Sequence, residues 1–207
     1  MVDGNSAKKQ WISASELKIS NWPWHDHSKY PTPEASVKCI YSDKGIYMLF
    51  KVKERFIQAK FAEYQEAVWQ DSCVEFFAAP DSSGYFNFEI SCIGTLLLHW
   101  NQHGKEHTPV PPAYIKNIKI ISSLGNKAIE YATICPVDGY SVECFFPFSV
   151  FTKYLLMELP KSGTSWRANF FKCGDKTPEP SWGSWFPVNK PEPSFHHPEY
   201  FGEIRFE

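Results

Sequence analysis

The chain contains two stretches in which polar and apolar residues alternate, Trp69-Gln-Asp-Ser-Cys-Val-Glu-Phe-Phe77 and Tyr85-Phe-Asn-Phe-Glu-Ile-Ser-Cys92. The segment between them, Ala79-Pro-Asp-Ser-Ser-Gly84, has the composition of a turn. Alternation with a period of two predicts strands that bury one face in a core. We therefore expect these two stretches to form a β-hairpin.

The two faces of this hairpin differ in chemistry. One face is apolar and is predicted to enter the core: Val74, Phe76, Ala78, Phe86, Phe88, Ile90 and Cys92. The opposite face carries Asp71, Cys73, Glu75, Phe77, Asn87, Glu89 and Ser91. A turn centred near Ser82 places Glu75 opposite Glu89, and like charges in that position are destabilising. The pair therefore predicts a compensating partner, which is solvent, a cation or a hydrogen-bonding ligand.

Short strand-like segments occupy most of the remaining chain. A hairpin is predicted from 36–41 and 45–53, and later strands from these ranges: 56–60, 95–100, 115–122, 128–134, 140–146, 166–173 and 202–206. Helical periodicity is weak, and the best candidate is one short helix over about 147–156, opened by Pro147. About ten strands at this spacing predict an all-β fold, an antiparallel β-sandwich of the jelly-roll type.

Composition limits the classes of partner. A length of 207 residues predicts a single domain over 1–207, with residues 1–10 expected to be flexible. The formal net charge is −2, and the lysines and arginines are spread along the chain and not clustered. Nucleic acid is therefore not an expected partner. The chain has no apolar run long enough for a membrane span.

Two segments rich in tryptophan and proline, 21–33 and 174–202, are expected to be ordered loops that fold onto the sandwich. Aromatic residues make up 17% of the chain, and most phenylalanines are expected in the core. Loops held by a rigid scaffold commonly carry binding residues, so these tryptophans are candidates for a site.

The six cysteines show no close metal-binding spacing. Cys73 and Cys92 lie on neighbouring predicted strands but on opposite faces of the sheet. A disulfide between them would therefore require that the predicted side-chain alternation is wrong for one of the two strands. Residues 1–10 lack the apolar region of a signal peptide, and reduced cysteines favour the cytoplasm. A leader that had been trimmed would instead place the protein in the periplasm or outside the cell.

Four motifs in order resemble the family 9 carbohydrate-binding modules, in particular their stand-alone "family 9-like" proteins. They are Trp69-x-Asp-Ser-x-Val-Glu75-Phe-Phe, the Tyr/Phe-rich strand that ends at Gly94-Thr95, Trp166-Arg-Ala-Asn169-Phe-Phe, and an aromatic-His-x-Pro-Glu-Tyr-Phe-Gly motif near the C-terminus. The similarity covers about residues 36–206. It implies a β-sandwich that binds the end of a sugar chain between two aromatic rings, and in some members structural calcium, for which Asp26, Asp71 and Asp138 could supply oxygens.

The resemblance also implies particular site residues. Trp69 matches the first stacking tryptophan and Glu75 a hydroxyl-binding glutamate, while the second ring falls on Phe195, followed by His196. Trp182 or Trp185 could replace Phe195 as that ring, or form the wall of the site. Glu89 aligns where the best-known modules have an arginine, and Glu89, His196 and Lys172 are expected as lesser contacts.

Three functions remain open from the sequence. The first is non-catalytic binding of a mono- or oligosaccharide. The second is a glycoside hydrolase that uses Glu75 and Glu89, since carboxyl groups opposite each other on a sheet could meet the spacing of a retaining mechanism. The third is a structural sandwich whose exposed aromatic residues meet a protein partner. A sugar site should pair rings with hydrogen-bonding acceptors, whereas a protein interface should expose rings without them.

Overall fold

The computed structural model describes residues 2–207, and of the stretch expected to be flexible only Met1 lies outside the described residues. The strands follow in chain order: β1 (Glu16–Ile19), β2 (Glu34–Ser42), β3 (Gly45–Lys53), β4 (Phe56–Ala59), β5 (Cys73–Ala79), β6 (Tyr85–Ser91), β7 (Leu96–Asn101), β8 (Thr108–Pro109), β9 (Lys119–Ser122), β10 (Ile129–Ile134), β11 (Tyr140–Pro147), β12 (Ser165–Cys173), β13 (Trp182–Ser184) and β14 (Gly202–Arg205). Helix α1 spans Lys9–Ser13 and α2 spans Phe148–Phe151.

Two antiparallel sheets form the body of the molecule. Sheet I has the strand order β1-β2-β3-β11-β9, and sheet II has the order β13-β12-β5-β6-β7-β8, with β14 paired to β12. A small ladder joins β4 to β10. The antiparallel β-sandwich expected from the sequence is confirmed. The short helix after Pro147 is present as α2, while β1, α1, β8 and β13 were not predicted.

The core lies between the two sheets and is made largely of phenylalanine. Phe88 of β6 lies 4.3 Å from Phe146 of β11 between ring centroids, and Phe50 of β3 lies 6.3 Å from Phe170 of β12. The predicted apolar face of the β5–β6 hairpin enters this core, with Phe76 and Phe88 fully buried. Alternation along β5 and β6 therefore sends Glu75 and Glu89 to the outer face of sheet II.

That outer face is also covered, by the segment 185–201. Phe77 and Phe171 of sheet II pack there with Val188, Phe195 and Phe201. The buried side chain of Asn169 fixes the start of the cover, since its amide nitrogen donates to the Phe186 carbonyl at 3.0 Å and its oxygen accepts from the Phe186 backbone N–H at 2.9 Å. Sheet II is thus buried on both faces, which explains why polar residues on it are shielded from water.

The N-terminal segment is attached to sheet I through Glu143. Its carboxylate accepts hydrogen bonds from the backbone N–H groups of Asp3 and Gly4, at 2.9 and 2.7 Å, and from the Trp11 indole at 2.9 Å. Lys8 forms an ion pair with the same carboxylate at 2.6 Å. These contacts show how residues 3–11 pack on the sandwich; the flexibility expected for residues 1–10 stays a prediction.

All six cysteines are free thiols. Cys92 faces the core side, whereas Cys73 faces the outer side of sheet II, in agreement with the predicted alternation of side chains.

Among residues 2–207, no helix is long and apolar enough to cross a membrane.

Lys172 occupies the core face of β12 and not the ligand side expected for it. Alternation along the strand puts it on the face of Trp166 and Phe170, where it is fully buried. Its ammonium forms an ion pair with Glu54 at 2.9 Å and donates to the Cys173 carbonyl at 2.7 Å. Burial alone would lower the pKa of Lys172, but the Glu54 carboxylate raises it above its ordinary value. The lysine is therefore an ion-paired side chain of the core and is inaccessible from the surface.

We predict that Lys172→Met destabilises the fold by about 3–5 kcal/mol, because it leaves the Glu54 carboxylate buried without its cation. The double variant Lys172→Met/Glu54→Gln should recover much of this loss, since the pair is removed together. Urea denaturation measures both. The exposed Lys51→Met on β3 is the control and should stay within about 0.5 kcal/mol of wild type. A single variant as stable as this control would contradict the ion pair.

Candidate functional site

A cavity of about 350 Å³ opens on the outer face of sheet II. Its lining combines aromatic rings, carboxyl groups and imidazoles: Trp69, Glu75, Glu89, Leu97, His99, His107, Cys173, Asp175, Trp182, Pro193, Ser194, Phe195 and His196. Six of the eight residues expected at the site thus meet here: Trp69, Glu75, Glu89, Trp182, Phe195 and His196. Larger grooves exist elsewhere on the surface, but none of them brings several tryptophans and carboxyl groups together.

The acidic floor of the cavity comes from the register of the hairpin. Glu75 of β5 lies directly opposite Glu89 of β6, as the turn geometry predicted. Both side chains are nearly inaccessible, with residue exposures of 2% and 4%. Cys173 lies on the neighbouring strand and donates its S–H to Glu75 Oε1 at 2.9 Å. Two like carboxyl groups are therefore buried side by side beneath the cavity.

A chain of amides orients Glu89. Asn87 Nδ2 donates to Glu89 Oε1 at 2.7 Å, and Asn101 Nδ2 in turn donates to Asn87 Oδ1. His107 Nδ1 contacts Asn101 Oδ1 at the end of this chain. The network holds one oxygen of Glu89 and leaves the other, Oε2, buried without a hydrogen-bond partner among residues 2–207. A buried acceptor without a partner requires a water, an ion or a ligand.

Burial controls the protonation of both glutamates. It raises the pKa of Glu75 well above its ordinary range, and the neighbouring Cys173 and Glu89 add to this effect. It also raises the pKa of Glu89 to about 7, although the hydrogen bond from Asn87 acts in the opposite direction. Both groups therefore hold a proton at pH values where an exposed glutamate is already ionised.

The two tryptophans of the cavity are joined through Asp175. The Trp182 indole N–H donates to Asp175 Oδ1 at 2.8 Å, and the Asp175 backbone N–H donates to the Trp69 carbonyl at 3.2 Å. Trp69 keeps 36% of its surface exposed, and Trp182 is partly exposed. Burial raises the pKa of Asp175, while the Trp182 indole opposes that rise. Both indoles are accessible to a ligand.

Phe195 is more enclosed than the sequence suggested. It stacks on Phe171 with ring centroids 4.1 Å apart, contacts Trp24 at 6.0 Å, and is only 8% exposed. One face of the ring is therefore occupied by the protein. Phe195 lines the cavity as part of its wall, and Trp182 lines the same cavity with its indole partly exposed.

Three histidines, His99, His107 and His196, lie next to one another in the lining of the cavity. His107 lies 4.6 Å from His196 and 5.9 Å from His99 between ring centroids, and the hydroxyl of Tyr85 hydrogen-bonds His196 Nδ1 at 2.9 Å. Burial, with His107 and His99 as further causes, lowers the pKa of His196 to about 4. Burial likewise lowers the pKa of His99. His196 is therefore neutral near pH 7.

Trp185 lies outside this cavity. Its ring packs on Phe170 of the core face at 5.5 Å and on Phe186 at 4.6 Å, beside Tyr41 and Ile204 on a different groove. Strand alternation explains the difference, since Trp182 and Trp185 are three residues apart and the Trp185 backbone N–H still donates to the Phe170 carbonyl of β12, so the two rings point to opposite faces. The expectation that Trp185 forms the wall of the site is corrected, together with that for Lys172.

Sequence reasoning missed His99, His107, Cys173 and Asp175. The signal for His99 was available, because it lies opposite Asn87 on β7 and so shares the face of Glu89. His107 and Asp175 lie on loops outside the strands, so the alternation of polar and apolar residues could not predict that they line the cavity.

Two of the three aspartates considered for calcium, Asp26 and Asp71, already accept hydrogen bonds from the protein. The oxygens of Asp71 accept hydrogen bonds from Gln58 Nε2 and the Phe61 backbone N–H, while Asp26 accepts from Ser28 in a local turn. Within residues 2–207, the ligand atoms close enough to share a metal belong to Cys73, Glu75 and Cys173, all within 4.8 Å of one another. Two sulfurs are not a calcium ligand set, which requires oxygens.

Comparison with known proteins supports the fold at several levels. A structure of a presumed carbohydrate-binding protein from Bacteroides uniformis ATCC 8492 matches with 29% identity and a TM-score of 0.86, covering 96% of this chain and 88% of that one. A family 9 carbohydrate-binding module from Caldicellulosiruptor kristjanssonii matches with 15% identity and a TM-score of 0.66. It covers 100% of this chain and 91% or 89% of that one, in complexes with glucose and cellotriose respectively.

No curated protein matches the chain. The family model described as carbohydrate-binding family 9 matches residues 5–206, almost the whole sequence. This range contains each of the four motifs noted in the sequence and both sheets of the sandwich. The chain belongs to carbohydrate-binding family 9.

Proposed function

We propose that this protein binds a sugar, without catalysis, in the cavity on the outer face of sheet II. Family membership and the neighbour bound to glucose and cellotriose support this class of function. The observation that carries it for this chain is the buried Oε2 atom of Glu89, which has no hydrogen-bond partner among residues 2–207, in a cavity that is also lined by the accessible indoles of Trp69 and Trp182. A sugar ring offers apolar C–H faces to the indoles and hydroxyl donors to that oxygen.

The arrangement of rings and acceptors favours a sugar over a protein partner. Trp69 and Trp182 stand beside Glu75, Glu89 and Asp175 in one cavity. A protein interface built on aromatic residues would bury apolar rings without such buried acceptors. Trp69 and Trp182 are the proposed stacking rings, Glu89 and Glu75 the hydroxyl contacts, and Phe195 and His196 the wall.

The hydrolase alternative is supported less well. Both retaining and inverting mechanisms require one carboxyl group ionised as nucleophile or base while the other supplies a proton. Here burial raises the pKa of both Glu75 and Glu89, and Glu75 contacts a thiol rather than a group that would keep it ionised. Incubation with cello-oligosaccharides and analysis of the products tests this directly, and release of shorter sugars would favour the hydrolase.

The proposed function is tested by glycan-array screening and calorimetric titration of the hits, starting with glucose and cellotriose. We expect Kd values between micromolar and millimolar, as for shallow sites that combine modest apolar burial with a few hydrogen bonds. Absence of binding to every glycan would contradict the proposal.

We predict that Trp69→Ala and Trp182→Ala each weaken binding at least about tenfold, because each removes one of the stacking rings. Trp69→Ala should cost no more than about 1–2 kcal/mol of stability, since its ring is partly exposed. The matched control is Trp185→Phe, which changes an indole outside the cavity and should keep wild-type affinity. Equal losses in the control and in Trp69→Ala would place the sugar elsewhere.

The buried glutamates predict a pH dependence of stability. The pKa of Glu89 is raised to about 7 in the folded state from 4.5, so its stabilising contribution is present below about pH 4.5 and is lost as pH rises through about 7. Relative to Glu89→Gln, the wild type should lose about 3 kcal/mol over this window. Urea denaturation at several pH values measures the difference.

The exposed Asp43→Asn, in the β2–β3 turn, is the control and should differ from wild type by a constant amount across the same pH range. A difference between wild type and Glu89→Gln that does not change with pH would show that Glu89 is not held protonated by burial.

A further inference from the structure

The cavity is acidic without a fixed positive charge. Its lining contains the carboxyl groups of Glu75, Glu89 and Asp175, and among residues 2–207 no lysine or arginine lines it. The nearest buried ammonium, that of Lys172, points to the core side and is paired with Glu54. Burial lowers the pKa of His196 and of His99, so these two histidines of the wall favour their neutral form. The site therefore lacks the partner that opposed carboxyl groups need.

The geometry indicates where such a partner would lie. The Asn101–Asn87 chain fixes Glu89 Oε1 and leaves Oε2 unpartnered among the described residues, although Glu89 is only 4% exposed. Glu75, directly across the strands, has its Oε1 atom on the Cys173 thiol. A group that donates several hydrogen bonds and carries positive charge would satisfy Glu89 Oε2 and favour the ionised form of the carboxyl group, which burial otherwise disfavours.

We propose that this cavity selects sugars bearing a protonated amine over neutral and acidic sugars. The inference rests on the proposed function and specifies the class of its ligand. A primary ammonium supplies three donors in place of one hydroxyl donor, and hydrogen bonds to charged groups are the stronger kind. The indole faces of Trp69 and Trp182 add a cation–π attraction. A uronic acid would instead bring a further carboxyl group beside those of Glu75, Glu89 and Asp175.

A metal ion is the competing occupant. Cys73, Glu75 and Cys173 place two sulfurs and one oxygen within 4.8 Å of one another, a donor set that suits zinc. That set does not include Glu89, so a metal held there would leave the free oxygen of Glu89 without a partner. The amine accounts for this oxygen, and zinc therefore enters the test as a separate arm.

The experiment is calorimetric titration of the full chain at about pH 6.5, where an amine of this type is largely protonated. The probes are glucosamine, N-acetylglucosamine, glucose and glucuronic acid. Glucosamine should bind at least about tenfold tighter than glucose and N-acetylglucosamine, which have the same ring but no charge. Glucuronic acid should bind more weakly than glucose.

Two isosteric variants test the assignment to the carboxyl groups. Glu89→Gln and Asp175→Asn remove a carboxyl group that can ionise against a bound ammonium, but they keep an acceptor for Asn87 and for the Trp182 indole, respectively. Each should reduce the ratio between the glucosamine and glucose affinities, with Glu89→Gln bringing it close to one. Asp43→Asn, on the other sheet, should leave the ratio unchanged. Circular dichroism verifies that each variant is folded.

The outcomes separate the two levels of the proposal. Binding of glucose with no preference for glucosamine would overturn the inference and leave sugar binding intact. Failure of all four sugars and of the glycan array would overturn both. Tight zinc binding that depends on Cys73 and Cys173, with no preference for the amine, would assign the missing positive charge to a metal and also overturn the inference.

Discussion

The register between β5 and β6 places Glu75 opposite Glu89 on a face of sheet II that the chain covers with its own segment 185–201. Two carboxyl groups in this position are shielded from water and close to each other. Their ionisation is therefore costly, and one buried oxygen, Oε2 of Glu89, is left without a partner among the described residues. The cavity above them is lined by indole rings and, among the described residues, by no lysine or arginine. The two buried carboxyl groups therefore determine which ligands it can accept.

The covering segment gives the site both its shape and its rigidity. Asn169 fixes Phe186, Arg167 donates to the Phe201 carbonyl at 2.7 Å, and Trp24 donates to the Lys190 carbonyl at 2.8 Å. These contacts hold Phe195 and His196 against sheet II. A site assembled from a rigid sheet and a fixed loop binds a ligand without a large ordering cost. The hydrogen bonds from Asn101 through Asn87 to Glu89 also lower this ordering cost, because they fix the orientation of the Glu89 carboxyl group before a ligand binds.

Much of the fold could be predicted from the sequence because period-two alternation is a direct consequence of strand geometry. It gave the faces of β5 and β6, the opposition of Glu75 and Glu89, and the core positions of Phe76 and Phe88. It placed Lys172 on the face of Trp166 but could not assign its role, because the partner Glu54 belongs to a distant segment. The positions of His107 and Asp175 depend on the course of the loops that carry them, which no local pattern records, whereas Trp185 follows strand alternation from Trp182.

A crystal structure of the protein soaked with glucose tests the central claim most directly, namely that the outer face of sheet II is a sugar site. The assignment predicts electron density for a pyranose ring between Trp69 and Trp182, with a hydroxyl within hydrogen-bonding distance of Glu89 Oε2. A sugar bound on sheet I, or a cavity that holds only water at saturating glucose, would contradict it.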